Sequence, residues 1–209
     1  MIEARADGVI VVGAAVFGVC ATVLALGLVV ALHLLEPEFD PSWRMLSEYA
    51  LGRWGALMRV AFLAMGAAVI AVAVALGAAA WPGTIGLVLV AVGPIGAAFV
   101  DTDPVTTPRA EASRRSAVHA VLGSLFVLGF PAAASAAGIC AAGEPGVGAV
   151  LGWASIGPWA GWAWFLGASI RHERRGVQGS PRARIGWPNR VSMLLYFGWV
   201  ALAGILVLC

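Results

Sequence analysis

A bundle of membrane-spanning helices is the fold class this sequence predicts, and three observations predict it. Apolar residues fill 61% of the 209 positions and charged residues only 11%, with a mean hydropathy of +0.91. A chain that exposes its surface to water carries far more charge than this. The apolar residues fall into six long runs, most of them near the roughly 20 residues a helix needs to cross a hydrocarbon core of about 30 Å. The basic residues, all arginine, concentrate in alternate connections between those runs.

Taken in order, the first run covers about 8–34. It is too long for the core of a signal peptide, and the segment before it carries Glu3 and Asp7 beside a single Arg5, so it reads as a membrane span. The second covers about 54–80 and the third about 84–100, separated by the turn Trp81-Pro82-Gly83. The fourth (116–139), fifth (148–171) and sixth (188–208) complete an all-α, polytopic bundle in one transmembrane domain, 1–209. Gly93-Pro94, Phe130-Pro131 and Gly157-Pro158 interrupt runs three, four and five near their middles. Each proline removes a backbone donor, and three at similar depth point to a widened space among those helices.

Twelve of the thirteen arginines lie in or beside connections 1–2, 3–4 and 5–6; only Arg5 falls on the other side. The positive-inside rule places those three connections in the cytoplasm and both termini outside, in a bacterial cytoplasmic membrane. A net charge of +2, explained by topology, gives no reason to expect nucleic acid. Membrane lipid is the expected surrounding, and the arginine-rich segment Arg171–Arg190 suits anionic headgroups. Cys140 and Cys209 both map to the outer face, which permits but does not force a disulfide.

The acids are as unevenly placed as the arginines. Glu36, Glu38 and Asp40 follow His33 as a solvated run at the end of run one; Glu48 and Tyr49 precede run two; Asp101 and Asp103 close run three; His119 opens run four. Ionisable groups gathered at a lipid boundary are a functional-site candidate by default. Asp101 is the first candidate acid and Glu48 the second, since an apolar setting favours a carboxyl that holds its proton. His119 lies within reach of Asp101, and Tyr49 and His119 are suited to positioning or recycling a proton. The same side chains are also oxygen and nitrogen ligands, yet their spacing matches no metal motif, phosphate loop or nucleophile turn, so neither metal nor cofactor is expected.

Nine tryptophans are many for this length. Trp43, Trp54, Trp81 and Trp187 fit an interfacial belt, whereas Trp159, Trp162 and Trp199 fall near the centres of runs five and six, with Phe130 and Phe197 at similar depth. These five either pack the bundle or form an aromatic pocket for an apolar substrate.

Ser47-Glu48-Tyr49-Ala50, and Phe99-Val100-Asp101-Thr102-Asp103-Pro104 followed by His119, resemble the signature segments of domain-of-unknown-function family 998, small prokaryotic membrane proteins of about six spans. This chain has Val100 where the family often has proline. The resemblance implies the six-span architecture and one site shared by Glu48, Tyr49, Asp101, Asp103 and His119. It implies no reaction. In design, though not in sequence, a compact bundle with buried acids and no metal motif is similar to small membrane-bound terpene cyclases.

Two readings stand on this basis. In the first, the chain is a membrane enzyme that binds a lipophilic small molecule, of a class that includes prenylated and terpenoid compounds, and uses carboxylic-acid proton transfer for cyclisation or isomerisation. In the second, it is a non-enzymatic lipid-binding, lipid-transport or partner-subunit protein. No particular protein partner is indicated.

Overall fold

The computed structural model describes residues 2–141, 146–177 and 179–209. Seven α-helices are seen among them, and no strand. They are α1 (Ile2–Leu35), α2 (Gly55–Leu76), α3 (Gly83–Ala97), α4 (Arg114–Cys140), α5 (Val147–Ala154), α6 (Ile156–Arg174) and α7 (Gly186–Leu208). Side chains before Gly8, including Arg5 and its bearing on topology, lie outside the described residues.

Four helices, α1 from Gly8, α2, α4 and α7, are long and apolar enough to cross a membrane; α3 is apolar but shorter, at 15 residues. The fifth predicted run is not one helix. It is broken at Ser155 into α5 and α6. Pro158 has no N–H to close the turn onto Ala154, and the strand of backbone at the break is stitched from the side: the Trp199 indole donates to the Leu151 carbonyl and to Ser155 Oγ, both at 3.1 Å. At Pro131 α4 runs on unbroken. The carbonyl that this proline leaves free, that of Val127, takes a hydrogen bond from the Tyr196 hydroxyl at 2.8 Å.

Helices α1 to α4 run antiparallel to their neighbours in sequence, as their close approaches show. A Cβ on Gly93 of α3 would sit 2.5 Å from the Leu122 carbonyl of α4, so only glycine permits that spacing. Helix α2 packs against α1, α3 and α7 and is the most enclosed long helix. By contrast α1 turns Val9, Ile10, Val12, Val16, Phe17, Val23, Leu24 and Val30 outward. Leaving so much apolar surface in water costs about 25 cal/mol per Å², so the outer face is suited to lipid, and the chain is a multi-pass membrane protein.

The alternation brings the described residues of the connections 36–54, 98–113, 175–177 and 179–185 to one end of the bundle. Arg59 pairs with Asp101 at 2.7 Å, Val105 N–H donates to Glu48, and Gly186 N–H donates to the Ser42 carbonyl at 3.2 Å, tying all three together. This is the arginine-bearing end.

Candidate functional site

Two polar assemblies occupy that end, and they differ in what they leave unfilled. The first surrounds Arg190, in the first turns of α7 and only 8% exposed. Its Nε donates to His33 Nε2 at 2.7 Å, Nη1 to the carbonyls of Arg44 (2.6 Å) and Gly186 (3.2 Å), and Nη2 to the Tyr49 hydroxyl at 3.3 Å. His33 Nδ1 lies 2.7 Å from the Val29 carbonyl. A carbonyl can only accept, so Nδ1 carries the proton and Nε2 is the acceptor that Arg190 needs. Both ring nitrogens are therefore taken.

Beside this tie, Glu36 is buried and accepts from Trp54 N–H. It does not belong to a solvated run, because the turn after α1 folds back beneath the start of α2. Asp40, further out, is solvated, and the Ser42 N–H on its carboxylate holds its pKa below the usual range. Tyr49, fully buried and tilted against His33 and Phe39, serves this tie and does not line the cavity described next.

The second assembly is a cavity of about 940 Å³ between α2, α3, α4, α6 and α7, roofed by residues 102–112. Its size lies at the upper end of the roughly 300–1,000 Å³ typical of small-molecule sites. Met58, Phe62, Met65, Phe126, Phe165 and Met193 give it an apolar body, and Pro94 is the one interrupting proline in its wall. Methionine at four wall positions, Met45 among them, suits a flexible apolar guest. Its polar wall includes Glu48, Asp103, Ser116, His119, Ser124 and Asn189.

Most of those polar groups are already engaged. Glu48, 1% exposed, sits in the short 3-10 turn Leu46–Leu51 and reaches back to Met45 N–H (2.8 Å); it also accepts from Val105 N–H (2.8 Å) and pairs with Arg44 at 3.1 Å. Asp103 takes the Ser113 N–H at 2.6 Å on one oxygen and the Ser113 hydroxyl at 2.9 Å on the other, which fixes the cap of α4. Two carboxylates thus hold the roof in place, an arrangement that explains acids at these positions.

His119 is different. It is buried, its Nδ1 lies 2.6 Å from the Val100 carbonyl, and Phe62 meets it edge-on. The same logic as at His33 puts the proton on Nδ1 and leaves Nε2 as an acceptor. Among the described residues nothing hydrogen-bonds that Nε2, and the ring is part of the cavity wall. The expected partner, Asp101, is instead turned outward onto Arg59 and does not line the cavity. The main-chain carbonyl one residue before the acid meets His119, while the Asp101 carboxylate meets Arg59.

The expected aromatic pocket is also relocated. Phe130, Phe197 and Trp199 are buried in a ring cluster with Phe126 and Tyr196, with Phe130 stacked on Tyr196 at 4.8 Å, and they fill the core. Trp159 is 41% exposed on the outer side of α6, donating to Ser135 and packed against Trp162. None of the five lines the cavity. Sequence reasoning passed over Asn189, Arg190 and the methionines, although two polar residues just inside an apolar run were a readable signal. Among the described residues no three His, Cys, Asp or Glu side chains come together, and all three cysteines are free thiols.

Fold and cavity together define an all-helical, multi-pass membrane protein with a largely apolar chamber at its arginine-bearing end. The profile of one family, described as Protein of unknown function (DUF998), matches residues 19–206, and the chain belongs to that family. No curated protein and no solved structure matches it.

Proposed function

We propose that this protein crosses the bacterial cytoplasmic membrane six times, with α5 and α6 making one crossing and the arginine-bearing end in the cytoplasm. In this reading it is a single domain that takes a lipophilic small molecule, of prenylated or similar character, into the 940 Å³ cavity and moves a proton at it through His119. The observation that carries the reading is the buried His119 with Nδ1 held by the Val100 carbonyl and Nε2 unclaimed in an apolar wall.

A base so placed removes a proton from the bound molecule, and the resulting imidazolium returns it at a second position, giving an isomer of unchanged mass. Tethered to Val100, the ring keeps its orientation in both protonation states. Cyclisation started by a carboxylic acid fits less well. Glu48 and Asp103 have their oxygens taken, and Asp101 and Tyr49 lie outside the cavity, so none of the predicted acids is free to donate there. The same saturation of Glu48 and Asp103 favours, as the second reading, a lipid-holding protein without chemistry.

The two are separated by mass spectrometry of lipid extracts from cells with equal amounts of wild type or His119→Asn, fed prenylated compounds. Asparagine retains a donor for the Val100 carbonyl, and its amide oxygen, although it accepts hydrogen bonds, is too weak a base to take a proton. An isomer found with wild type and missing with His119→Asn supports proton transfer; identical extracts support holding alone.

A further inference from the structure

Two polar groups left unclaimed in the cavity wall, an amide donor and an imidazole acceptor, point to a headgroup. Asn189, 7% exposed, accepts the Leu46 N–H on Oδ1 at 3.0 Å. An amide oxygen accepts and an amide nitrogen donates, so this contact fixes the orientation of the side chain and leaves the NH2 as a donor. Among the described residues that NH2 has no hydrogen-bond acceptor, and Asn189 lines the cavity. His119, on α4, lines the same cavity, and its Nε2 is the complementary acceptor.

The charged groups of the wall are spoken for. Glu48 is paired with Arg44 and two backbone N–H groups, and Asp103 with Ser113. The one lining arginine, Arg109, is 95% exposed at the rim and sits 3.5 Å from Glu173. A phosphate or carboxylate head finds no cation in the chamber, and burying it unpaired is expensive. An ammonium head carries no lone pair for the Asn189 donor. A neutral hydroxyl has both a lone pair and a proton, and it satisfies donor and acceptor together.

Resting on the cavity reading above, we propose that the ligand is an uncharged lipophilic alcohol, its oxygen accepting from Asn189 Nδ2 and its hydroxyl proton donated to His119 Nε2. Neither contact involves a bond-breaking step, so the assignment holds for an enzyme or for a carrier.

The test uses the full-length protein in nanodiscs of zwitterionic lipid and four probes of one chain: farnesol, farnesyl phosphate, farnesylamine and farnesyl methyl ether. Dissociation constants come from native mass spectrometry. Farnesol binds tightest; the ether, which cannot donate, binds about tenfold more weakly, the size expected for one lost hydrogen bond of ~1.4 kcal/mol. His119→Phe, whose ring has no acceptor, brings farnesol and its ether within about threefold of each other. Asn189→Asp keeps the oxygen that Leu46 needs and removes the donor, so farnesol weakens about tenfold while farnesylamine gains. Should Asn189→Asp not accumulate, the alcohol-to-ether ratio in His119→Phe decides alone. Tightest binding by the phosphate or the amine overturns the headgroup and leaves the cavity reading intact. Absence of saturable binding by all four probes, or binding unchanged in a Gly123→Phe variant that fills the chamber, overturns both.

Discussion

His33 and His119 make the same bond and end in different surroundings. Each gives Nδ1–H to a main-chain carbonyl, Val29 or Val100, and so presents Nε2 as an acceptor. At His33 that acceptor is filled by Arg190, which also binds Arg44, Gly186 and Tyr49 and locks α1, α7 and the connection between α1 and α2 together. At His119 it is open to a chamber. The comparison teaches that a buried, oriented imidazole at a membrane boundary is not evidence of chemistry by itself; what stands on its second nitrogen decides between scaffold and site.

The difference can be broken from either side. Arg190→Met has the largest expected effect, because it strands the buried acceptors of His33, Tyr49 and the Arg44 carbonyl at once. We expect a loss on the order of 3 kcal/mol, read as a sharp drop in thermal midpoint and in accumulated protein. A midpoint within a degree of wild type shows that the tie is dispensable. Glu48→Gln comes next. Glutamine still accepts but gives up the charge facing Arg44 and one of two close acceptor contacts, for roughly 1–3 kcal/mol. That loss separates a structural acid from a catalytic one, since lost turnover with an unchanged midpoint contradicts the scaffold role.

On the cavity side the effects on stability are smaller and those on function larger. His119→Asn keeps the Val100 bond, so its stability falls by less than about 1 kcal/mol, while the isomerised product disappears. The smallest effect belongs to Asp101→Asn. Its partner Arg59 is 43% exposed and the acid 35%, and such surface pairs contribute about 0–1 kcal/mol. Full retention of product in Asp101→Asn is expected, and its loss points back to Asp101 as the acid.

What the sequence made legible follows from the physics of lipid. Apolar runs and arginine clustering report on a solvent, and they located the helices to within a few residues, for example 188–208 against Gly186–Leu208. They are blind to the break at Ser155, because an apolar run looks the same whether or not its helix is continuous, and the Trp199 indole that satisfies the break is 44 residues away from Ser155. The site was legible in part. Glu48, Asp103 and His119 do share the cavity wall. The roles of Glu48 and Asp103 were hidden because their partners, Val105 N–H and Ser113, are backbone and hydroxyl donors supplied by folding of the connection. Asp101 looked central by composition, yet its carboxylate meets Arg59 and the Val100 carbonyl one residue earlier meets His119.

The measurement that tests this account most directly is the identity of what co-purifies with the protein. Gly123 lines the cavity and has open space where a Cβ would be, so Gly123→Phe fills the chamber without disturbing its walls. Mass spectrometry of extracts from purified wild type and Gly123→Phe is expected to show a neutral lipophile bound stoichiometrically to the first and absent from the second, at equal thermal midpoint. The same lipid profile in both proteins contradicts the claim that this chamber is a binding site.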